Sequence, residues 1–449
     1  MEYQQHKTGK RVQGLHQNVW ISIASQQIAP VAGKNKGLIL CSPACTYHTR
    51  YAMKTKFSAF AIGLAMTASA ALGQDTKPPI SASMEGHIFK PAKVPATDER
   101  IRRLKVPAGF TVTKFADNLN KPRMLAVHTN GNVYVTDRDK GTVTLLRDTN
   151  NDGKADQQQV VATKEGMHGI ALRDNKAYLV TVNEVYTADI NKDGTLGQLK
   201  VIADKLPDGG QHANRTLAFG PDGMLYVSVG STCNACEETS KESATLLQMK
   251  PDGSGRRVYA TGLRNTIGFD WHPQTKELYG FDHGIDWLGD TTQQEELNKL
   301  VEGGNYGWPY VFENGRPNLA DEPPKGMSWE AYARKTMFPE MTYTAHSAPL
   351  DMIFYNGSQF PQEYQGDAIV TLHGSWNRSE PVGYKVVRLH FENGKPKQFE
   401  DLVTGFLVNN NREQFGRVVG LATHTDGSLL FTDDDNGVIY RLAYTGNKK

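Results

Sequence analysis

Several stretches of this 449-residue chain carry side chains that could take up a proton or hold an anion. Gln211-His212-Ala213-Asn214-Arg215 contains His212, whose imidazole titrates near neutrality and suits a general base. A lone histidine serves structure as readily, so spacing alone leaves both roles open. Arg264-Asn265 sets a fork of donors beside an amide. A polar loop follows at Asp282-His283-Gly284-Ile285-Asp286-Trp287, then an acidic segment at Glu295-Glu296-Leu297-Asn298. Gly304-Asn305-Tyr306-Gly307-Trp308-Pro309 closes that stretch. Further along stand His373-Gly374-Ser375-Trp376-Asn377-Arg378 and Gly416-Arg417. Arginine binds carboxylates bidentately, so several arginines around one cavity fit an anionic ligand. Each of them taken singly reads equally as a surface ion pair.

A second kind of signal lies at 148–156. Asp148, Asn150, Asp152 and Asp156 place oxygen ligands along a short loop with Gly153 for a sharp turn, an arrangement that suits Ca²⁺. The twelfth position is Gln159 in place of the bidentate Glu of an EF-hand, and an ordinary polar turn fits the same residues. Asp189–Gly194 echoes the pattern and reads as a turn.

These residues need elements to hold them, and the sequence repeats itself in a way that supplies them. An apolar strand, a turn (containing Gly or Asn in all but the fourth unit), and a second strand rich in Tyr, Val and Leu recur at 124–137, 169–182, 217–230, 268–282, 352–374 and 420–435. Turn residues between apolar runs predict hairpins. The first four units lie about 45–50 residues apart, the period expected of propeller blades. The fold expected is therefore all-β, a six-bladed β-propeller over 101–445, preceded by an extended segment at 74–100. Phe110–Phe115, ahead of the first unit, is expected to complete the last blade. His212, Arg264, Asn377, Arg378 and Arg417 then all fall where the chain approaches or leaves a blade.

The N-terminal part has a different character. Lys54 and Lys56 precede an apolar run, 57–66, and small residues, 68–73, which together have the layout of a secretory signal too short to span a bilayer. Residues 53–73 are expected to be that signal, with Met53 the biological start and 1–52 a spurious or poorly structured leader. Residues 1–73 hold eight Lys or Arg and one acid, Glu2; with +2 for the whole chain, residues 74–449 carry −5. A mildly acidic mature protein argues against a nucleic-acid footprint, which needs a basic face. Of four cysteines, Cys41 and Cys45 lie in the leader; Cys233 and Cys236 form a Cys-x-x-Cys for which export favours a local disulfide. Glu237 in place of His excludes a c-type haem site there.

The motifs Gly262-Leu263-Arg264-Asn265, Asp282–Asp290 with Glu295–Asn298, Gly304–Pro309 and His373–Arg378 together resemble the glucose/sorbosone dehydrogenase family over roughly 100–443, nearest its sorbosone-dehydrogenase-like branch. The resemblance implies an exported six-bladed propeller that uses pyrroloquinoline quinone (PQQ) and Ca²⁺ to oxidise a sugar or a sugar-derived aldehyde or alcohol. It implies His212 as the base, Arg264 and Asn265 against the quinone oxygens, and backbone carbonyls of Gly284 and Ile285 on the Ca²⁺. It places Glu295 near the active site, and Asn377 or Arg378, with Arg417, near the cofactor's carboxylates. The electron acceptor is expected to be external, a quinone or cytochrome, with a periplasmic or secreted location and no stable membrane span. Two other classes stay open: a calcium-dependent propeller lactonase or esterase, and a non-catalytic propeller binding module.

Overall fold

The computed structural model describes residues 84–446. The expected leader and signal, 1–73, lie outside the described residues, as do Cys41 and Cys45. Among the described residues the fold is nearly all-β, with two five-residue α-helices, Asp98–Arg102 and Trp329–Ala333. None of its helices is long and apolar enough to cross a membrane.

Six four-stranded sheets carry the architecture. The first runs Pro122–Val127, Val133–Asp137, Thr142–Arg147 and Gln157–Thr163; the second, Gly169–Arg173, Lys176–Val180, Val185–Asp189 and Lys200–Ala203. The third runs Leu217–Phe219, Leu225–Val229, Thr245–Met249 and Arg257–Thr261; the fourth, Phe269–Trp271, Leu278–Asp282, Glu295–Leu300 and Met341–Tyr343. The fifth runs Pro349–Phe354, Ala368–Leu372, Lys385–Glu392 and Lys395–Val403. The sixth takes Val418–Thr423, Leu429–Asp433 and Val438–Tyr444, and its fourth strand is Phe110–Ala116, paired antiparallel to Val438–Tyr444 as expected. All six expected hairpins are present as antiparallel first and second strands.

Burial explains the composition of these strands. Second strands such as Val133–Asp137, Leu225–Val229 and Leu429–Asp433 are buried at every position, so their apolar residues stand at adjacent positions rather than alternating, with buried Thr, Ser or Asp toward their ends. Outer strands such as Gln157–Thr163 are mostly exposed and correspondingly polar. Apolar clusters fill the space between successive sheets. Tyr134 and Leu145 of the first meet Leu179 and Tyr186 of the second, and Leu430 and Ile439 of the sixth meet Leu125 and Val135 of the first.

Side chains also tie each sheet to the next. Thr136 Oγ1 donates to the His168 carbonyl at 2.6 Å, and Thr432 Oγ1 to the Arg123 carbonyl at 2.7 Å, linking the sixth sheet back to the first. Thr216 and Thr371 make the corresponding bonds to Ile267 and Val419. Asp270 accepts from the Phe354 amide across the fourth and fifth sheets at 2.8 Å.

Antiparallel connectivity then decides which loops share an end. In every sheet the connections between strands two and three, and between strand four and the next sheet, lie at one end. The connections between strands one and two, and three and four, lie at the other. His212, Arg264, Gly284, Ile285, Asn377, Arg378 and Arg417 all fall on loops of the first kind. The 148–156 loop joins strands three and four of the first sheet and belongs to the opposite end.

Candidate active site

His212 lies on the loop leading into the third sheet. Its Nδ1 is 3.1 Å from the Ser231 carbonyl and 2.7 Å from Ser231 Oγ. Ser231 Oγ donates its own proton to the Cys233 carbonyl at 2.7 Å, so both Ser231 oxygens are acceptors toward the ring. The proton therefore sits on Nδ1, and Nε2 presents a lone pair, the form a general base needs. Burial, reinforced by the charge of Arg264 and by His283, pushes the His212 pKa down to about 2 and keeps the ring neutral. Arg215, the largest fully buried side chain, fixes the backbone beneath it: Nη1 donates to the His212 carbonyl at 2.8 Å and Nη2 to the Pro207 carbonyl at 3.0 Å.

Asn265 is brought to the same place. A Cβ on Gly230 would lie 2.7 Å from His212 Cβ and 2.8 Å from Asn265 Oδ1, so both side chains pass over one glycine. Buried Asp282 holds the Arg264–Thr266 backbone: its carboxylate accepts from Arg264 N at 2.8 Å, Asn265 N at 2.7 Å and Thr266 Oγ1 at 2.9 Å. Asn265 Nδ2 faces His283 Nδ1 at 3.3 Å, and His283 Nε2 meets the Pro349 carbonyl at 2.5 Å, which assigns the His283 proton to Nε2.

Arg264 is 3% exposed and points toward the loop of Cys233 and Cys236, which are disulfide-bonded. Nε donates to the Asn234 carbonyl at 2.9 Å, and Nη2 to Asn234 Oδ1 at 2.7 Å and Asp286 Oδ2 at 3.2 Å. Asn377 Nδ2 reaches the other Asp286 oxygen at 2.6 Å. Asp286 thus joins Arg264 of the fourth-sheet approach to Asn377 of the fifth sheet.

Glu295 acts as a clamp. Its Oε2 accepts from Gly284 N at 3.0 Å and its Oε1 from Ala348 N at 2.9 Å; burial raises its pKa to about 7. Gln293 Oε1 accepts from Ile285 N at 3.0 Å. The Gly284 and Ile285 amides are therefore anchored, while neither carbonyl accepts a hydrogen bond among the described residues. Two fixed carbonyl oxygens are hard donors that suit Ca²⁺. Arg417 donates to the Gly374 carbonyl at 2.7 Å and the His373 carbonyl at 3.3 Å, and Arg378 to the carbonyls of Asp290 and Ala345. Neither arginine forms an ion pair with a carboxylate among the described residues, although the Arg417 charge acts on the Asp434 carboxylate, and both guanidiniums suit an anion with carboxylates. These donors fit both groups expected from the sequence.

The 148–156 loop takes no part in this cluster. Asp148 Oδ2 accepts from Gly153 N at 2.8 Å, Asp152 Oδ1 from Lys154 N at 2.9 Å, and Asp156 Oδ2 from Thr149 N at 2.9 Å. Asn150 Nδ2 donates to Asp152 at 3.2 Å. The contacts are those of a polar turn.

Sequence reasoning missed the connecting residues. Asp434 bonds Arg123 Nη1 at 2.5 Å and His373 Nε2 at 2.9 Å; Arg123 Nε meets His168 Nε2 at 3.2 Å, and His168 Nδ1 the Arg215 carbonyl at 2.9 Å. This buried polar chain runs from the sixth sheet through the first and second to the third, beneath His212. The acidic run Asp433-Asp434-Asp435 in the last repeat unit was its one visible trace.

Across residues 104–445 the chain matches the family described as TrAA12-like. An uncharacterized protein of Borreliella burgdorferi is 32% identical over 367 residues, 78% of this chain and 93% of that protein. The pyrroloquinoline quinone-dependent pyranose dehydrogenase of Coprinopsis cinerea is 22% identical over 401 residues, 74% of this chain and 53% of that longer protein. Among solved structures, the calcium structure of the Trichoderma reesei Carbohydrate-Active Enzymes Family AA12 protein aligns with a TM-score of 0.67 at 21% identity. That alignment covers 77% of this chain and 98% of the other and shows a shared fold. On its sequence, the chain belongs to the TrAA12-like family.

Proposed function

We propose that the protein is an exported sugar oxidoreductase that uses PQQ and Ca²⁺, built as a six-bladed β-propeller whose blades are the six sheets. The observation that carries the reading is the proton arrangement at His212. Ser231 fixes the proton on Nδ1 and leaves Nε2 bare, beside Asn265 and within the field of Arg264. The names of the Coprinopsis cinerea enzyme and of quinoprotein glucose dehydrogenase B from Acinetobacter calcoaceticus support the chemistry, and the Trichoderma reesei calcium structure supports the metal.

When bound, PQQ supplies a hydride acceptor and Ca²⁺ the Lewis acid that polarises it. The chain's own residues bind and orient. Gly284 and Ile285 offer their carbonyls to the metal, held in place by Glu295 and Gln293. Arg417, Arg378 and Asn377 meet carboxylates, and Arg264 with Asn265 meets carbonyl oxygens of the ligand. His212 Nε2 takes the proton of the substrate hydroxyl, and Ser231 keeps the imidazole in the one tautomer able to do so. Electrons leave to an external quinone or cytochrome. The substrate is a sugar or a sugar-derived aldehyde of the sorbosone type.

The lactonase alternative needs carboxylates converging on a central cation. Among the described residues the one close group of His, Cys, Asp and Glu is Cys233, Cys236 and Glu238, whose cysteines are joined in a disulfide. The test is reconstitution. Protein given PQQ and Ca²⁺ should reduce a dye in the presence of aldoses, and His212→Ala should abolish turnover; no cofactor binding would reject the proposal.

A further inference from the structure

Arg138 occupies the tight turn between the second and third strands of the first sheet, at the same end as His212. It is half-buried, its Nε is fully buried, and its guanidinium has neither a hydrogen bond nor an ion pair among the described residues. A buried N–H left without an acceptor costs free energy, and Nε of Arg138 is such a group. The neighbouring carboxylates are already committed. Asp137 accepts from the backbone amides of Lys121 and Lys140, and both Asp434 oxygens are taken by His373 and Arg123. Arg138 is close to the buried chain under the site. Burial depresses the pKa of both His168 and Arg215, and the positive charge of Arg138 depresses both further.

Its position in the sheet order matters. The cofactor contacts proposed above come from the fourth, fifth and sixth sheets, and His212 from the third. The first sheet contributes none of them, yet among the described residues it presents at this end a half-buried arginine with no hydrogen bond or ion pair. We propose that Arg138 is a specificity-determining residue that binds the carboxylate of the substrate, so that the preferred substrate is a sugar carrying a carboxylate, of the uronic acid class. Arg138 offers the planar fork of donors that carboxylates fit bidentately. This inference rests on the sugar-oxidoreductase reading for its chemistry, but its binding arm does not.

The binding arm measures D-glucuronate and D-glucose on the full chain by calorimetry at low ionic strength. The wild type should bind glucuronate in clear preference to glucose. Arg138→Gln should remove most of that preference, Arg138→Lys should keep part of it, and Arg138→Gln should unfold at the wild-type temperature, since no partner is lost. On reconstituted enzyme, the ratio of kcat/KM for glucuronate to that for glucose should fall by about 10- to 100-fold in Arg138→Gln, the range of one charge-assisted hydrogen-bonded contact. Equal binding of the two sugars by the wild type, or an unchanged preference in the variant, overturns the proposal. So does a loss of PQQ affinity in Arg138→Gln without a change in sugar preference, which would assign the arginine to the cofactor. Failure of the chain to bind PQQ at all would defeat the functional reading while leaving the glucuronate preference as a separate result.

Discussion

At His212 the decisive feature is on the Nδ1 side of the ring. Ser231 receives the Nδ1 proton through two oxygens, and the Ser231 hydroxyl is itself committed to Cys233, so the tautomer is locked by a chain of three groups. Replacing His212 by Gln should lower kcat by about 10²- to 10⁴-fold, the usual weight of a general base, while PQQ affinity measured by titration stays near the wild type. Glu295 makes a different contribution, because each of its oxygens accepts one backbone amide. Gln at 295 would turn a donor toward one of those amides. Glu295→Gln should therefore weaken Ca²⁺ binding, read by calorimetry, more than it changes turnover at saturating metal. His212 was legible in the sequence as one of several candidates for a base; its tautomer was not, because Ser231 lies 19 residues away and meets the ring only once the second strand of the third sheet is in place.

At the scale of elements, the disulfide loop between the second and third strands of the third sheet positions much of the site. Asn234 receives two donors of Arg264 and the Asp286 amide, and gives its own Nδ2 to the Asp286 carbonyl at 3.2 Å. Asn234→Ala would remove the Oδ1 acceptor shared by Arg264 Nη2 and the Asp286 amide while keeping the Asn234 carbonyl, so we expect a loss of about 1–3 kcal/mol in urea unfolding together with weaker PQQ binding. The expected export suggested the disulfide between Cys233 and Cys236. Nothing in the Cys-x-x-Cys spacing suggested that the residue inside it, Asn234, would meet Arg264 30 positions later. The hairpins themselves were readable, because Gly- and Asn-containing turns between apolar strands are local signals. The loops at the functional end were readable only as polar stretches, because their partners come from other sheets.

The sixth sheet depends on its C-terminal strand finding one that precedes the first sheet. Phe110–Ala116 pairs with Val438–Tyr444, and Phe115, 2% exposed, packs with Leu430 and Ile439 across from Leu125 and Val135. A chain ending at Asp434 should lose cooperative thermal unfolding, since the sixth sheet would lack its third strand and strand Phe110–Ala116 its partner. The buried polar chain sets the acid limit. Burial, with the charge of Arg417, lowers the His373 pKa to about 4, so at neutral pH its bond to Asp434 joins a neutral ring to a carboxylate. The unfolded ring titrates near 6.5. Between pH 6.5 and 4 the unfolded chain therefore binds a proton that the folded chain refuses, and stability falls as pH falls through that window. His168 is depressed for the same reason, burial first, and acts in the same direction. The midpoint of thermal unfolding should drop from pH 6.5 to pH 4, with a shallower drop in His373→Gln.

The central claim, a quinone cofactor seated on Arg264, Asn265 and Arg417 with Ca²⁺ on Gly284 and Ile285, meets its most direct test in a spectroscopic titration of the full chain with PQQ, with and without Ca²⁺. Saturable, Ca²⁺-dependent perturbation of the PQQ absorption is expected at one equivalent, bleached on adding a sugar, and in His212→Gln retained but bleached about 10²- to 10⁴-fold more slowly. A spectrum that stays that of free PQQ at every ratio, with Ca²⁺ present and the chain folded, would contradict it.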